Sequence, residues 1–531
     1  MLSGLSSAAE APPSNFFIFA AAQSPLHVRL TSSDNHSCAN ITKSSAAMGN
    51  KRKRAEASNG AGKEAPFTAK KVKKSEPFTI QIVAGSYDRV LHGITASVKP
   101  GEDKADFADT FLFNAHSSAI RCVAISPPSA PEPGKGQKVM LATGSTDERI
   151  NVYNISAHPA SQKSKDEQDV LSKVAPRNIL ENSKNREVGT LLHHSSTVTK
   201  LAFPTKGKLL SASEDSTIAV TRIRDMTLLS SIKVPVPKPM GRPSGDTAAM
   251  GSTPSGVNDF AVHPSMKLMI SVSKGERSMR LWNLMTAKKA GVLNFGRETL
   301  AAIGEGRHSS GEGRKIVWEP QASEEFAVGF DRDILVFGMD GTPRCKVMPD
   351  SRTKVHEFDY VKLGDKEEDG SILAVATEDG RIMFFSTDSD DLSEEAASDN
   401  KKAALPSAKF MAQLGGKEAG VQGRIKDFAV LRPSEDNDEL YFACGSSDGK
   451  IRLFQTSISE LKKTEQAAGK EKKKQVGKSL GTYETQNRIT CLEAFVMIPR
   501  PEGIEDSEDE FEDVSSDEED DDNESENEDE A

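Results

Sequence analysis

Between about 78 and 497 the chain repeats one arrangement of apolar and polar positions: an apolar strand, a short Gly/Ser-x-x-Asp turn, then an alternating strand ending on an aromatic or bulky residue. The pattern reads plainly at 142–153 (A-T-G-S-T-D-E-R-I-N-V-Y) and again at 211–220, 376–385 and 444–454. Weaker copies stand at 271–282, where Gly275 replaces the turn aspartate, and at 326–337. Gly, Asp and Asn accept the backbone angles of a tight hairpin turn, and period-two alternation lets one strand face bury against a neighbouring sheet. Each copy therefore predicts two strands of one small antiparallel sheet.

Another apolar strand precedes most of these hairpins, at 119–125, 198–203, 257–262, 316–318, 355–361, 425–431 and 489–495, which makes seven inner strands. The last lacks three partners. They are supplied from the other end of the chain by 78–84, 90–98 and 107–113, where V-A-G-S-Y-D-R-V-L-H-G-I with its Asp88 matches the hairpin template. One C-terminal strand completing an N-terminal three-stranded sheet closes a ring and removes the free edge that invites aggregation. A four-strand unit of about 40 residues is the period of WD repeats. Ala115-His116, His193-His194, the turn aspartates, and Val152-Tyr153-Asn154 and Leu281-Trp282-Asn283 resemble degenerate Gly-His and Trp-Asp signatures. The expected fold is all-β: a seven-bladed WD-repeat β-propeller with three-plus-one strand closure.

Composition changes the picture at the two ends. Of the 531 residues 36% are hydrophobic and 28% charged, a core diluted by polar segments. The net charge is −11, but 19 of the 79 acidic residues lie in 502–531, which has no Lys or Arg; the 60 that remain meet 68 basic residues, so the rest of the chain is net +8. Three parts are expected: a disordered basic arm over 1–77, the propeller over 78–497, and a disordered acidic tail over 498–531. In the arm, Lys51, Arg52, Lys53 and Arg54 followed by Lys70, Lys71, Lys73 and Lys74 form two cationic clusters with the spacing of a bipartite nuclear import signal. Met48 opens a natural-looking start, M-G-N-K-R-K-R, so 1–47 reads equally as an upstream extension or as a gene-model artefact. The apolar stretch 16–22 is too short for a membrane span, which needs about 20 residues. Polar insertions at about 156–186, 235–255, 299–313, 388–407 and 456–475 are expected to project from the rim as disordered loops.

Chemistry is hard to find. There is no P-loop, H-E-x-x-H, G-x-S-x-G or dinucleotide fingerprint, and the five cysteines lack zinc spacing. No enzymatic activity, cofactor or metal is expected. The histidines His116 and His194 and the turn aspartates Asp88, Asp147, Asp215, Asp379 and Asp448 are assigned to the loops and turns that tie each blade together, since a loop His can bond a Ser or Thr on the second strand and the turn Asp. Lys470, Lys472, Lys473 and Lys474 are candidate RNA contacts, with a solvated loop equally good as a reading. Ser507, Ser515 and Ser516 sit before acidic residues and are candidate sites for an acidophilic kinase.

Several segments resemble one family. The run I-V-A-G-S-Y-D-R-V-L-H-G at 82–93, together with 142–153, L-L-H-H-S-S-T-V-T at 191–199 and R-I-T-C-L at 488–492, is similar in order and spacing to the p21-activated-kinase-interacting-protein family, whose fungal members act in large ribosomal subunit assembly. The long insertions and the acidic tail depart from the animal relatives, which carry Lys-rich extensions. The resemblance implies a nuclear and nucleolar scaffold whose partners are pre-ribosomal assembly factors, ribosomal proteins and rRNA, monomeric within a larger particle and off the membrane. It also implies an alternative: an adaptor that inhibits a p21-activated kinase.

Overall fold

The computed structural model describes residues 77–500 except 100, 133–134, 161–177, 183, 237–254, 306–308, 351, 365–368, 394–404, 435–436 and 463–473. The cationic clusters at 51–54 and 70–74, the tail serines, and Lys470, Lys472 and Lys473 lie outside the described residues. Within them, seven antiparallel sheets of four strands follow one another as blades, and no helix is long and apolar enough to cross a membrane. Blades 2 to 7 span 120–191, 198–233, 257–294, 315–347, 355–415 and 425–484, each running in chain order from the channel to the rim. Blade 1 combines Phe78–Ser86, Val90–Val98 and Asp106–Asn114 with Ile489–Val496 as its innermost strand.

The innermost strands contact one another in an unbroken circle, Ile120–Ile125 touching those of blades 1 and 3. Closure joins distant parts of the chain: Ile82 lies opposite Ala494 and Ala84 opposite Leu492 in an antiparallel pair. The Tyr87 amide donates to the Arg488 carbonyl at 2.8 Å, and the Met497 amide to the Thr79 carbonyl at 2.8 Å. A ring of this kind leaves no innermost edge unpaired.

The hydrophobic core is distributed between adjacent blades. Ile150, Leu191, Val198 and Leu209 join blades 2 and 3, while Phe384, Leu414, Phe428 and Phe442 join blades 6 and 7. The hairpin glycines serve this packing more than the turn. A Cβ on Gly144 would stand 2.7 Å from Val198 Cγ1 and one on Gly445 2.9 Å from Ile489 Cγ2, so glycine there lets the next blade's innermost strand come close. The positive backbone angles of the turns fall later, at residues such as Arg89, Glu148, Ser216 and Gly275.

The insertions are less free than their polar composition suggests. The helix Arg297–Ala302 buries Leu300, and Ile458–Lys462 buries Ile458 and Leu461 against blades 6 and 7. The far ends of three insertions fold back onto the rim. Asn178 and Leu180 bracket Asp109 of blade 1, Pro406 and Ala408 bracket Lys346 of blade 5, and Lys474 and Val476 bracket Gln413 of blade 6, each by two backbone hydrogen bonds of 2.7–2.9 Å. The apolar residues that anchor these ends are diluted by their neighbours in any windowed view of the sequence.

Candidate binding surfaces

In blade 2, His116 lies between the second strand and the turn: its Nδ1 is 3.1 Å from Asp147 Oδ1 and its Nε2 2.8 Å from Thr143 Oγ1. In blade 3, His194 is 3.1 Å from Asp215 Oδ2 and 2.8 Å from Ser211 Oγ. Burial pushes the His116 pKa down, which favours a neutral ring donating from Nδ1 and accepting at Nε2. Burial opposes charge on Asp215, but hydrogen bonds from His194, Thr217 and Ser195 hold its carboxyl well below the usual range.

The other turn aspartates meet different partners. The Asp88 carboxylate accepts from Asn487 Nδ2 at 3.2 Å, and Asn487 Oδ1 is 3.0 Å from His92 Nε2, so the turn of blade 1 is tied to the C-terminal segment. Asp379 is paired with Arg381, and Asp448 accepts from Arg452 at 2.8 Å. Trp282 Nε1 donates to Ser271 Oγ at 2.8 Å in blade 4. Lys474 donates from Nζ to the Glu460 carbonyl at 2.6 Å, which directs this residue to the inside of the insertion it belongs to.

The channel carries charge that strand-by-strand reading misses. Lys200, Asp259, Lys315, Glu357, Asp359, Asp427 and Glu493 all come from innermost strands. Asp259 Oδ2 accepts the Ile316 amide at 3.0 Å and Asp427 Oδ2 the Leu492 amide at 2.8 Å, so each carboxylate joins one innermost strand to the next. Lys315 is paired with Glu357, and Lys200 Nζ lies 4.0 Å from Asp259. Burial, then neighbouring Asp427, pushes Glu493 up to about 8; burial pushes Asp359 up to about 6. Asp259 is fully buried, Asp359 is exposed, and Lys200, Lys315, Glu357, Asp427 and Glu493 are half-buried, so contact with water screens the repulsion among all but Asp259.

One mouth of the channel is cationic. The second residue of an innermost strand is a small bridging group in blades 1, 3 and 4: Thr490, Thr199 and Asn258 each bond a backbone carbonyl of the following blade or of the segment leading into it at 2.8 Å. In blades 2, 6 and 7 the same position holds Arg121, His356 and Lys426. Lys426 Nζ is 3.4 Å from His356 Nε2, with Arg424 and Arg488 beside it. Burial, then Lys426, pushes His356 down to about 4, so its ring stays neutral. Arg424 pairs with Glu378 at 3.1 Å, but Arg121, Lys426 and Arg488 make no ion pair among the described residues. Arg488 lies 5.8 Å from the ring centre of Tyr87, which is 60% exposed. Among the described residues no cluster of His, Cys, Asp and Glu could hold a metal ion. That this one strand position holds Thr or Asn in three blades and Arg, His or Lys in three others was available in the sequence, but only once the strands are placed side by side.

Comparison with known proteins agrees with this architecture. The family model described as "WD domain, G-beta repeat" matches residues 108–154 and 185–220. Protein MAK11 of Saccharomyces cerevisiae is 26% identical over 78% of this chain and 82% of its own length. The p21-activated protein kinase-interacting protein 1-like proteins of Gallus gallus and Danio rerio are each 23% identical, over 78% and 79% of this chain and 79% and 82% of their own lengths. The chain is a WD-repeat β-propeller protein. Within that class its sequence is similar, over most of its length, to these MAK11 and p21-activated-kinase-interacting relatives.

Proposed function

We propose that this protein is a non-enzymatic scaffold in large ribosomal subunit assembly, acting in the nucleus and nucleolus through binding of assembly factors, ribosomal proteins and rRNA. The observation that carries the reading is the cationic channel mouth. Arg121 and Arg488 both act on Lys426, none of the three makes an ion pair among the described residues, and the neighbouring Glu378 is already paired with Arg424; this excess of cations costs stability through repulsion and is repaid by an anionic partner. The basic arm with its two clusters supports nuclear entry, and the polyanionic tail supports competition for basic protein surfaces. The blade networks at His116, Asp147, His194 and Asp215 serve to hold the binding surface in shape.

A second reading draws on the kinase-interacting relatives: the same surface, in the cytoplasm, holds a p21-activated kinase in check. Depletion of the protein separates the two. Loss of large-subunit rRNA processing with nucleolar location of the tagged chain supports the scaffold; normal processing with raised kinase activity supports the adaptor.

A further inference from the structure

The connection between the third and outermost strands differs from blade to blade, and its length decides whether the preceding blade's rim is covered. The long connections of blades 2, 6 and 7 pair with the outermost strands of blades 1, 5 and 6. The connection 99–105 of blade 1 does the same for blade 7, where the Ala105 amide donates to the Leu480 carbonyl at 2.9 Å. In blades 3, 4 and 5 the connection is a tight turn, at 223–226, 284–287 and 339–342. No described segment pairs with the outermost strands of blades 2, 3 and 4, the consecutive blades that those turns would have to cover.

The register identifies the groups left open. In blades 5 and 6 the bracketed residues are Lys346, opposite Leu335, and Gln413, opposite Met383. The equivalent residues are Thr190 opposite Asn151, Ser231 opposite Ala219, and Val292 opposite Arg280. Lys346 and Gln413 both donate and accept outward through their backbone. At this position the covered residues Lys346 and Gln413 are buried whereas Val292 is 46% exposed and Thr190 and Ser231 are exposed, and the open edges also show Val188, Leu228 and Leu229, each 42–45% exposed.

We propose that the rim of blades 2 to 4 binds an extended, apolar segment of a partner protein, which pairs in parallel with an outermost strand as this chain's own connections do on blades 1, 5 and 6. Strand addition of this kind draws affinity from backbone hydrogen bonds and specificity from alternate side chains. The proposal rests on the reading of the protein as a binding scaffold and names a second surface on it, away from the cationic mouth.

The test places a photoreactive benzoylphenylalanine at Leu229, or at Tyr87 beside the channel mouth, in the full-length protein within its own cells, and sequences the crosslinked peptides. The expected result is that Leu229 crosslinks to one short segment of a different protein. Ser231→Pro, which removes the amide equivalent to the donors of Lys346 and Gln413, and Leu229→Lys, with the photoprobe moved to Leu228, each lower that yield on the order of tenfold while Tyr87 crosslinks persist. Crosslinks from Leu229 only to residues 237–254, only to a second copy, or to nothing while Tyr87 still captures partners overturn the rim proposal and leave the scaffold reading standing. Loss of crosslinks at both positions overturns both.

Discussion

Asp427 of blade 7 accepts the backbone amide of Leu492 in blade 1 at 2.8 Å, and so joins two innermost strands that do not form a sheet with each other. Its other oxygen accepts the Phe428 amide at 2.9 Å. Asp427→Ala leaves the Leu492 amide without its acceptor at the ring's closing blade, and is expected to lower unfolding free energy by about 1–3 kcal/mol. Asp427→Asn keeps an acceptor and is expected to cost less. Urea denaturation of the two variants checks the order; equal losses would mean the carboxylate acts through charge alone.

The channel acids make stability depend on pH. Glu493, held up at about 8, binds its proton more tightly folded than in the unfolded chain, where carboxyls titrate near 4. Its contribution is fully present below about pH 4 and is lost as pH rises through 8. Asp147 and Asp215 are held low and oppose this only in acid. His116, His193, His263 and His356, held low by burial, oppose it up to about pH 7, where the unfolded histidines have lost their protons. The melting temperature is therefore expected to fall between pH 7 and 8.5, and Glu493→Gln to flatten the fall. A melting temperature that rises over that interval contradicts the account.

Ring closure by Ile489–Val496 gives a sharp truncation boundary. Ending the chain after residue 500 removes only the acidic tail and is expected to leave the melting temperature within a few degrees. Ending it after 488 removes buried Ile489, Cys491 and Leu492 and exposes Phe78–Ser86 as an unpaired edge; aggregation in place of a cooperative transition is expected. Light scattering during a thermal ramp distinguishes the outcomes.

How much of this was legible in the sequence depends on where the information sits. The hairpins at 142–153 and 444–454 could be read because alternation and turn chemistry are local. Closure could be read because blade 1 lacked one strand and the C-terminal end supplied one. The glycines at 144 and 445 resembled turn residues, yet their role is contact with the next blade, a property of two blades together. Backbone pairing at Lys346 and Gln413 leaves no side-chain pattern at all. The channel charges were hidden because an innermost strand such as Ile425–Leu431 reads as apolar while its Lys426 and Asp427 face the channel's neighbours.

The His116 network in blade 2 is expected to be structural. Asp147→Ala frees the His116 Nδ1 and the Ser117 amide, which it now binds at 3.1 and 2.9 Å, and should cost about 1–3 kcal/mol. Partner binding by the protein that remains folded should be unchanged. A loss of binding without loss of stability, measured by pull-down beside thermal unfolding, would place His116 and Asp147 in the binding surface.

The central claim is binding to precursor large ribosomal subunits. The most direct measurement is affinity purification of the tagged, full-length protein from nuclear extract, with gradient sedimentation and identification of the RNA and proteins that travel with it. The account predicts large-subunit rRNA precursors and assembly factors in heavy fractions, reduced when Arg121, Lys426 and Arg488 are replaced together by Ala. Recovery of a p21-activated kinase in light fractions without ribosomal precursors would contradict it.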